Sequence, residues 1–203
     1  MATSRKRASS KRVVIIDGHP DPDEARYVHA LTGAYARGAR QAGHSVELFR
    51  LSSMNFPLLR SNADFYGGVV PPEIKRIQEA IICCDHIVMI YPLWLGNMPA
   101  LLKGLLEQVF RRAVAYADVA RRGASQNPLK GKSARIVITM AMPAPFYRQH
   151  LGAHSLRNMR RNAAGFLGIA PIRSQVIGRV EALTPAQRRK LLETMHEHGR
   201  NAR

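Results

Sequence analysis

Residues 86–112, HIVMIYPLWLGNMPALLKGLLEQVFRR, decide the architecture of this 203-residue chain. In the strand read from His86 to Tyr91, every residue from Ile87 onward is apolar without alternation, as a strand covered on both faces should be. Pro92 closes it. Gly96, Asn97 and Pro99 make the next residues a loop, and Pro99 then stands at an early helical position, where its missing amide hydrogen costs nothing. A helix is expected from Pro99 to Arg112. A doubly covered strand followed by a loop and a helix is half of a βαβ unit, which requires a parallel sheet layered with helices.

The same alternation extends in both directions. Toward the amino terminus, Val13 to Ile16 is a second continuous apolar run, ended by Asp17, Gly18, His19, Pro20 and Pro22. Helical spacing of Val28, Leu31, Tyr35 and Ala39 predicts a helix from Glu24 to Gln41, and Val46 to Leu51 a strand. Residues 52–72 hold Pro57, Gly67, Gly68, Pro71 and Pro72, and are long enough as a connection to read as a functional or lid-like loop. Ile74, Ile77 and Ile81 mark another helix. Toward the carboxyl terminus, strands are expected at Arg135–Met140 and Arg173–Gly178, with a helix from Ala153 to Phe166 between them. Thr184, Pro185 and Gln187 form a capping box that opens the last helix. Five strands and five helices make an α/β, doubly wound, five-stranded parallel sheet with helices on both faces. Residues 1–12 read as a disordered basic tail, 13–199 as a single domain and 200–203 as a C-terminal tail.

Thirty-one Lys and Arg against 14 Asp and Glu give a net charge of +17, which favours anionic partners. Residues 1–12 carry five bases and no acid, and residues 188–203 carry five bases against Glu193 and Glu197, which leaves +9 between them. With so much charge in the tails, no specific nucleic-acid contact is expected. The amino-terminal arm suits weak contact with an anionic surface. Arg157, Arg160 and Arg161 read as a solvated face rather than a nucleic-acid patch. Cys83 and Cys84, the only cysteines, end an apolar helical pattern with no distant partner, which fits packing residues in a reducing cytoplasm. No zinc spacing, nucleophile elbow or paired-carboxylate site appears, and no metal is expected.

In an open parallel sheet ligands bind beyond the carboxyl ends of the strands, so loops 17–26, 92–98 and 139–150 matter most. The first has neither a G-x-G-x-x-G nor a P-loop pattern. It offers His19 and Arg26 beside a helix N-terminus, whose free amides suit a phosphate. The second places the only Trp, Trp94, in a loop with Pro92, Leu93 and Leu95, an arrangement suited to a flat apolar ring.

The segment PLWLGNMPALLKGLLEQVF, followed by Ala115 and Tyr116, resembles the signature of the flavodoxin-like NAD(P)H:quinone oxidoreductases. This family includes the eukaryotic quinone reductases and the bacterial modulator-of-drug-activity and potassium-efflux ancillary proteins. IIDGHPDPDEAR resembles the family's first strand and phosphate loop, and Lys130, Gly131 and Lys132 leading to Thr139 fit in the same order. The resemblance implies a noncovalent flavin, FMN first and FAD as the alternative, reduced by NAD(P)H and reoxidised by a quinone-type acceptor in a homodimer. It also implies residue roles. His19 and Arg26 would hold the flavin phosphate. Pro92, Leu93, Trp94 and Leu95 would line the ring, as would Thr139, Met140, Ala141 and Met142. Tyr147 and His150 would be the catalytic polar groups. A transporter-regulating flavoprotein with little turnover is the alternative the same resemblance allows. Three departures bear on flavin binding. Ala25 stands where relatives often have Ser, three carboxylates (Asp21, Asp23, Glu24) crowd the phosphate loop, and Met140-Ala141 replaces Gly-Gly, narrowing the approach to the ring.

Overall fold

The computed structural model describes residues 10–111, 128–165 and 167–203. Residues 1–9 of the expected tail, Arg112, Ala115, Tyr116 and Phe166 lie outside these. Five strands, β1 (Arg12–Asp17), β2 (Ser45–Arg50), β3 (His86–Pro92), β4 (Ser133–Thr139) and β5 (Ile172–Ile177), form one parallel sheet in the order β2-β1-β3-β4-β5. The direction of winding switches between β1 and β3, so the crevice for a ligand opens where Asp17 ends β1 and Pro92 ends β3 opposite Thr139.

Seven α-helices lie among the described residues: α1 (Tyr27–Gln41), α2 (Asn62–Gly67), α3 (Pro72–Cys83), α4 (Ala100–Val109), α5 (Ala144–Gln149), α6 (His154–Gly165) and α7 (Pro185–Arg200). Each face of the sheet carries its own core. Ile74, Ile77 and Ile81 of α3 and Leu102 and Leu105 of α4 pack on Val14, Ile16 and Ile138. On the other face Val28, Leu31 and Tyr35 of α1 and Met195 of α7 pack on Val13, Ile15, Val88 and Ile90. Strand residues feed alternate cores, which is why the runs at 13–16 and 87–91 are apolar throughout.

Several boundaries differ from expectation for identifiable reasons. The helix expected from Glu24 begins at Tyr27, because Asp21 and Asp23 accept hydrogen bonds from the amides of Asp23 and Ala25 and hold the chain in successive side-chain turns. The 52–72 connection holds α2, which Ser61 starts with a capping box. It is fastened to the body: buried Arg111 donates to the carbonyls of Asp64, Gly68 and Val69, and the Gln108 amide to Pro57. The tail boundaries at 12 and 200 fall within packed structure. Arg12 begins β1, Lys11 Nζ donates to the Ala202 carbonyl at 3.2 Å, and Ala202 is buried. Cys84 is a packing residue whose thiol donates to Ile81, with burial pushing its pKa up to about 11.

His86, at the start of β3, is fully buried, its Nδ1 2.7 Å from Ser133 Oγ and its ring stacked near Tyr35. Burial first, then the charges of Lys11, Arg135 and Arg173, drive its pKa from the ordinary 6.5 down to about 3. The folded value lies below the unfolded one, so this contribution to stability is complete above about pH 6.5 and is lost as pH falls toward 3. His86→Phe is expected to flatten the fall in unfolding free energy across that window, by on the order of a few kcal/mol, measured by urea titrations at stepped pH. An unchanged pH slope would show that His86 does not carry the acid sensitivity.

Candidate functional site

The site begins with a charge at the end of a buried strand. Asp17 follows four apolar residues of β1 and is itself fully buried, so its carboxylate requires compensation. His29, in the first turn of α1, supplies it: Nδ1 lies 2.7 Å from Asp17 Oδ2, with both side chains almost wholly buried. His29 Nε2 is 2.9 Å from the carbonyl of Asp21, which can only accept, so Nε2 carries a proton. Burial alone would depress the His29 pKa. The hydrogen bonds to Asp17 and to the Asp21 carbonyl, together with the Asp17 charge, outweigh it and the net shift is upward. A histidinium and a carboxylate thus form a buried pair under the first loop and tie that loop to the sheet.

Above this pair stands His19. Its Nδ1 accepts from the Asp21 amide at 3.1 Å, which leaves the ring proton on Nε2, with no partner among the described residues. Burial, then the charge of His29, lowers its pKa against the opposing pull of Asp21 and Asp17, so the ring is a neutral donor at pH 7. It meets His29 edge to face at 5.5 Å between centroids and Trp94 at 6.0 Å. Gly18 permits this approach: its amide donates to the Ile90 carbonyl at 2.8 Å, and a Cβ there would lie 2.9 Å from that of Tyr91.

Trp94 is set by a two-residue hairpin. Its amide and carbonyl both bond Asn97, at 2.7 and 2.9 Å, around Leu95 and Gly96, both at positive φ as in a type I′ turn. For Leu95 that conformation is strained, and its side chain is fully exposed. A cleft of about 560 Å³ opens between the three loops, lined by His19, Arg26, Pro92, Leu93, Trp94 and Thr139 among others. At its floor Leu93 donates to the Thr139 carbonyl at 2.7 Å. At the other end α1 starts without a side-chain cap, and the amides of Tyr27 and Val28 find no acceptor among the described residues.

Of the twelve candidate residues, eight meet in this cleft: His19, Arg26, Pro92, Leu93, Trp94, Thr139, Met140 and Ala141. Four do not. Leu95 points away at the hairpin tip, and Met142 packs on the core. Tyr147 is 1% exposed with its hydroxyl 2.7 Å from Ser155 Oγ, so it is a core residue that presents nothing to a ligand. His150 is exposed at the end of α5, stacked on Phe146 at 5.0 Å outside the cleft lining. Met140 has its side chain in the core, so the narrowing expected from it does not arise. Nor are the three loop carboxylates loose. Asp21 and Asp23 bind Arg26, at 2.7 and 3.4 Å, and Glu24 binds Arg50. Arg26 is therefore half-exposed and already held by two acids rather than standing free. Sequence reasoning missed Asp17, His29 and Arg188. The last, on α7, lies over the Tyr27 ring at 4.9 Å, donates to the Val180 and Leu183 carbonyls, and lines the cleft.

The family model Flavodoxin_2, described as a flavodoxin-like fold, matches residues 11–199. The chain belongs to this flavodoxin-like family. One relative of this flavodoxin-like protein, from Haemophilus influenzae, is named an uncharacterized NAD(P)H oxidoreductase. It is 26% identical over 184 residues, covering 89% of this chain and 90% of the relative. Another, the FMN-dependent NADH:quinone oxidoreductase of Mycoplasma pneumoniae, is 25% identical over 171 residues, 82% and 84% of the two chains. Among solved structures the NAD(P)H:quinone oxidoreductase of Methanothermobacter marburgensis superposes with a TM-score of 0.73 over 95% of this chain and 96% of its own, at 22% identity, a likeness of fold.

Proposed function

We propose that this flavodoxin-like protein is a flavin-dependent NAD(P)H:quinone oxidoreductase whose flavin, FMN in the first instance, lies in the cleft between His19, Trp94 and Thr139. The observation that carries this reading is the meeting of an uncapped helix N-terminus, a neutral histidine donor and a Trp-bearing hairpin around one cleft at the topological switch. The relatives' names, which include NAD(P)H oxidoreductase and FMN-dependent quinone oxidoreductase, support it. The residues fit the group chemically: the free amides of Tyr27 and Val28 and the Nε2–H of His19 suit a phosphate, and Pro92, Leu93 and Trp94 give a flat ring an apolar wall.

A bound flavin would supply a ring able to accept a hydride from NAD(P)H and hand on its two electrons and one proton to a quinone, which takes a second proton from solvent, giving NAD(P)⁺ and hydroquinone. The chain's own part is placement and charge. The amides of Tyr27 and Val28, with Arg26 and Arg188 nearby, would hold the phosphate. His19 would keep its proton on Nε2 and donate it as a hydrogen bond. The Asp17–His29 pair would keep the first loop in position from below. Tyr147, with its hydroxyl bound to Ser155, has no share in the reaction. The buried thiol of Cys84 fits a reducing cytoplasm. The apolar groove of about 320 Å³ between α4 and α6 suits the face of a homodimer, which light scattering at graded concentrations tests.

The purified protein should absorb in the flavin bands, bleach with NADPH and recover with menadione. Colourless protein that takes up neither FMN nor FAD would overturn the reading, and yellow protein without turnover would favour the transporter-regulating alternative. Trp94→Ala is expected to weaken flavin retention about tenfold or more, given the ring area that Trp94 offers. Unchanged retention on dialysis would remove Trp94 from the site.

A further inference from the structure

Between residues 119 and 180 the sequence contains no Asp or Glu, while it carries eleven Lys and Arg. Elsewhere in the described structure several bases stand beside acids: Arg26 with Asp21 and Asp23, Arg50 with Glu24, Lys103 with Glu107. Buried Lys132 and Arg135 spend their charge on carbonyls within the fold. Arg148, Arg157, Arg160 and Arg161 do neither. All four are exposed, none has a carboxylate partner among the described residues, and together they line one basin of about 760 Å³ along α6 and the outer strand β5. The fold concentrates them. At about 100° per residue, Ser155, Asn158, Met159 and Asn162 turn toward the apolar groove beside α4, and Arg157, Arg160 and Arg161 fall on the opposite side. Like charges at these spacings cost an isolated helix a few tenths of a kcal/mol each, so local stability does not account for them.

The arginines also border the hairpin that carries Trp94. Arg157 and Arg161 line a second hollow with Asn97, the residue that closes the Trp94 hairpin. Large apolar side chains face water nearby in the chain: Leu95, fully exposed two residues before Asn97, and Phe146 at 45% and Leu151 at 39%, on either side of Arg148. Two aliphatic tips and a phenyl ring already stacked on His150, beside unpaired guanidiniums, offer little to a polynucleotide, whereas they match the acyl boundary and anionic headgroups of a lipid surface. A second copy fits the same face poorly, because a twofold contact through it would bring the arginine cluster toward its own image.

We propose that this face, the arginines of α5 and α6 with the apolar rim at Leu95, Phe146 and Leu151, docks on an anionic lipid bilayer and brings the cleft to acceptors dissolved there. The acceptor clause rests on the quinone-reductase reading. The docking does not.

The test is co-sedimentation of the full chain, its basic amino-terminal arm included, with vesicles of phosphatidylcholine alone or mixed with phosphatidylglycerol, at low and near-physiological salt. Binding to the anionic vesicles only, weakened by salt, is expected. The triple variant R157Q/R160Q/R161Q should lower the partition about a hundredfold, since each charge near an anionic surface is worth about fivefold. The Lys triple variant R157K/R160K/R161K should retain it, and flavin content should be the same in all three. Equal binding to neutral vesicles, or undiminished binding by the Gln variant, would overturn the proposal, as would displacement of the protein from vesicles by single-stranded RNA. Protein that docks but is colourless would fail the functional reading alone. Protein that turns over a soluble quinone but ignores anionic vesicles would fail this one alone.

Discussion

Asp17→Ala is expected to lower the unfolding free energy by about 3–5 kcal/mol, the loss associated with stranding one member of a buried charge pair. His29 would keep its bond to the Asp21 carbonyl and lose the carboxylate that compensates its charge. Because the His29 pKa is raised on folding, the stability it supplies is complete below its ordinary value of 6.5 and declines as pH rises through the folded value. The gap between wild type and Asp17→Ala should therefore narrow on the alkaline side, which urea titrations at about pH 6 and about pH 9 would record. The double replacement Asp17→Leu, His29→Leu should cost less than the single change, since no buried charge is left unpaired. Additive losses would mean that the two side chains do not act as a pair.

Gly38 is the second position where one substitution should have a large effect. It lies on α1 where α7 crosses, and a Cβ built there would sit 2.0 Å from the His196 carbonyl oxygen. The facing Gly199 is equally tight, at 2.1 Å from the Tyr35 carbonyl. Backbone cannot yield as a flexible side chain can, so Gly38→Ala must push the two helices apart. About 3 kcal/mol or more of destabilisation is expected in urea titration. Gly33→Ala on the same helix is the control. Its new methyl meets only the tip of Arg37 at 3.3 Å, so removing a helix-interior glycine should stabilise by about 0.5–1 kcal/mol. Equal effects at the two sites would refute the tight crossing. Since α7 carries Arg188 to the cleft, Gly38→Ala should also reduce flavin retention, whereas Gly33→Ala should leave it unchanged.

The centre of the sheet was legible because residues 13–16 and 87–91 are buried on both sides and so are apolar without interruption, and the Thr184 capping box marked the last helix to the residue. Boundaries slipped where side chains compete with backbone: the Asp21 and Asp23 turns delay α1 by three residues, and α5 follows Pro143 with no apolar period to announce it. Within the site, loop position was readable and side-chain direction was not. Tyr147 stands in a loop region suited to catalysis, yet a six-residue helix turns it into the core toward Ser155. His29 was hidden among the apolar residues of α1. The available signal was Asp17, a carboxylate at the end of a doubly covered strand, which requires a cation in reach. Arg188 had no such signal, because it reaches the cleft from a helix about 160 residues later, through the α1–α7 crossing.

That crossing also bears on the order of events during synthesis. The sheet is complete once β5 has been made, but the side of the cleft formed by Arg188 belongs to a segment translated afterwards. While residues 185–200 are still inside the ribosomal tunnel, a nascent chain can pair all five strands and yet present an open trough in place of the finished cleft. Ligand capture then waits for α7 to emerge and dock, and any ligand held there would favour the conformers in which α7 has already docked on α1.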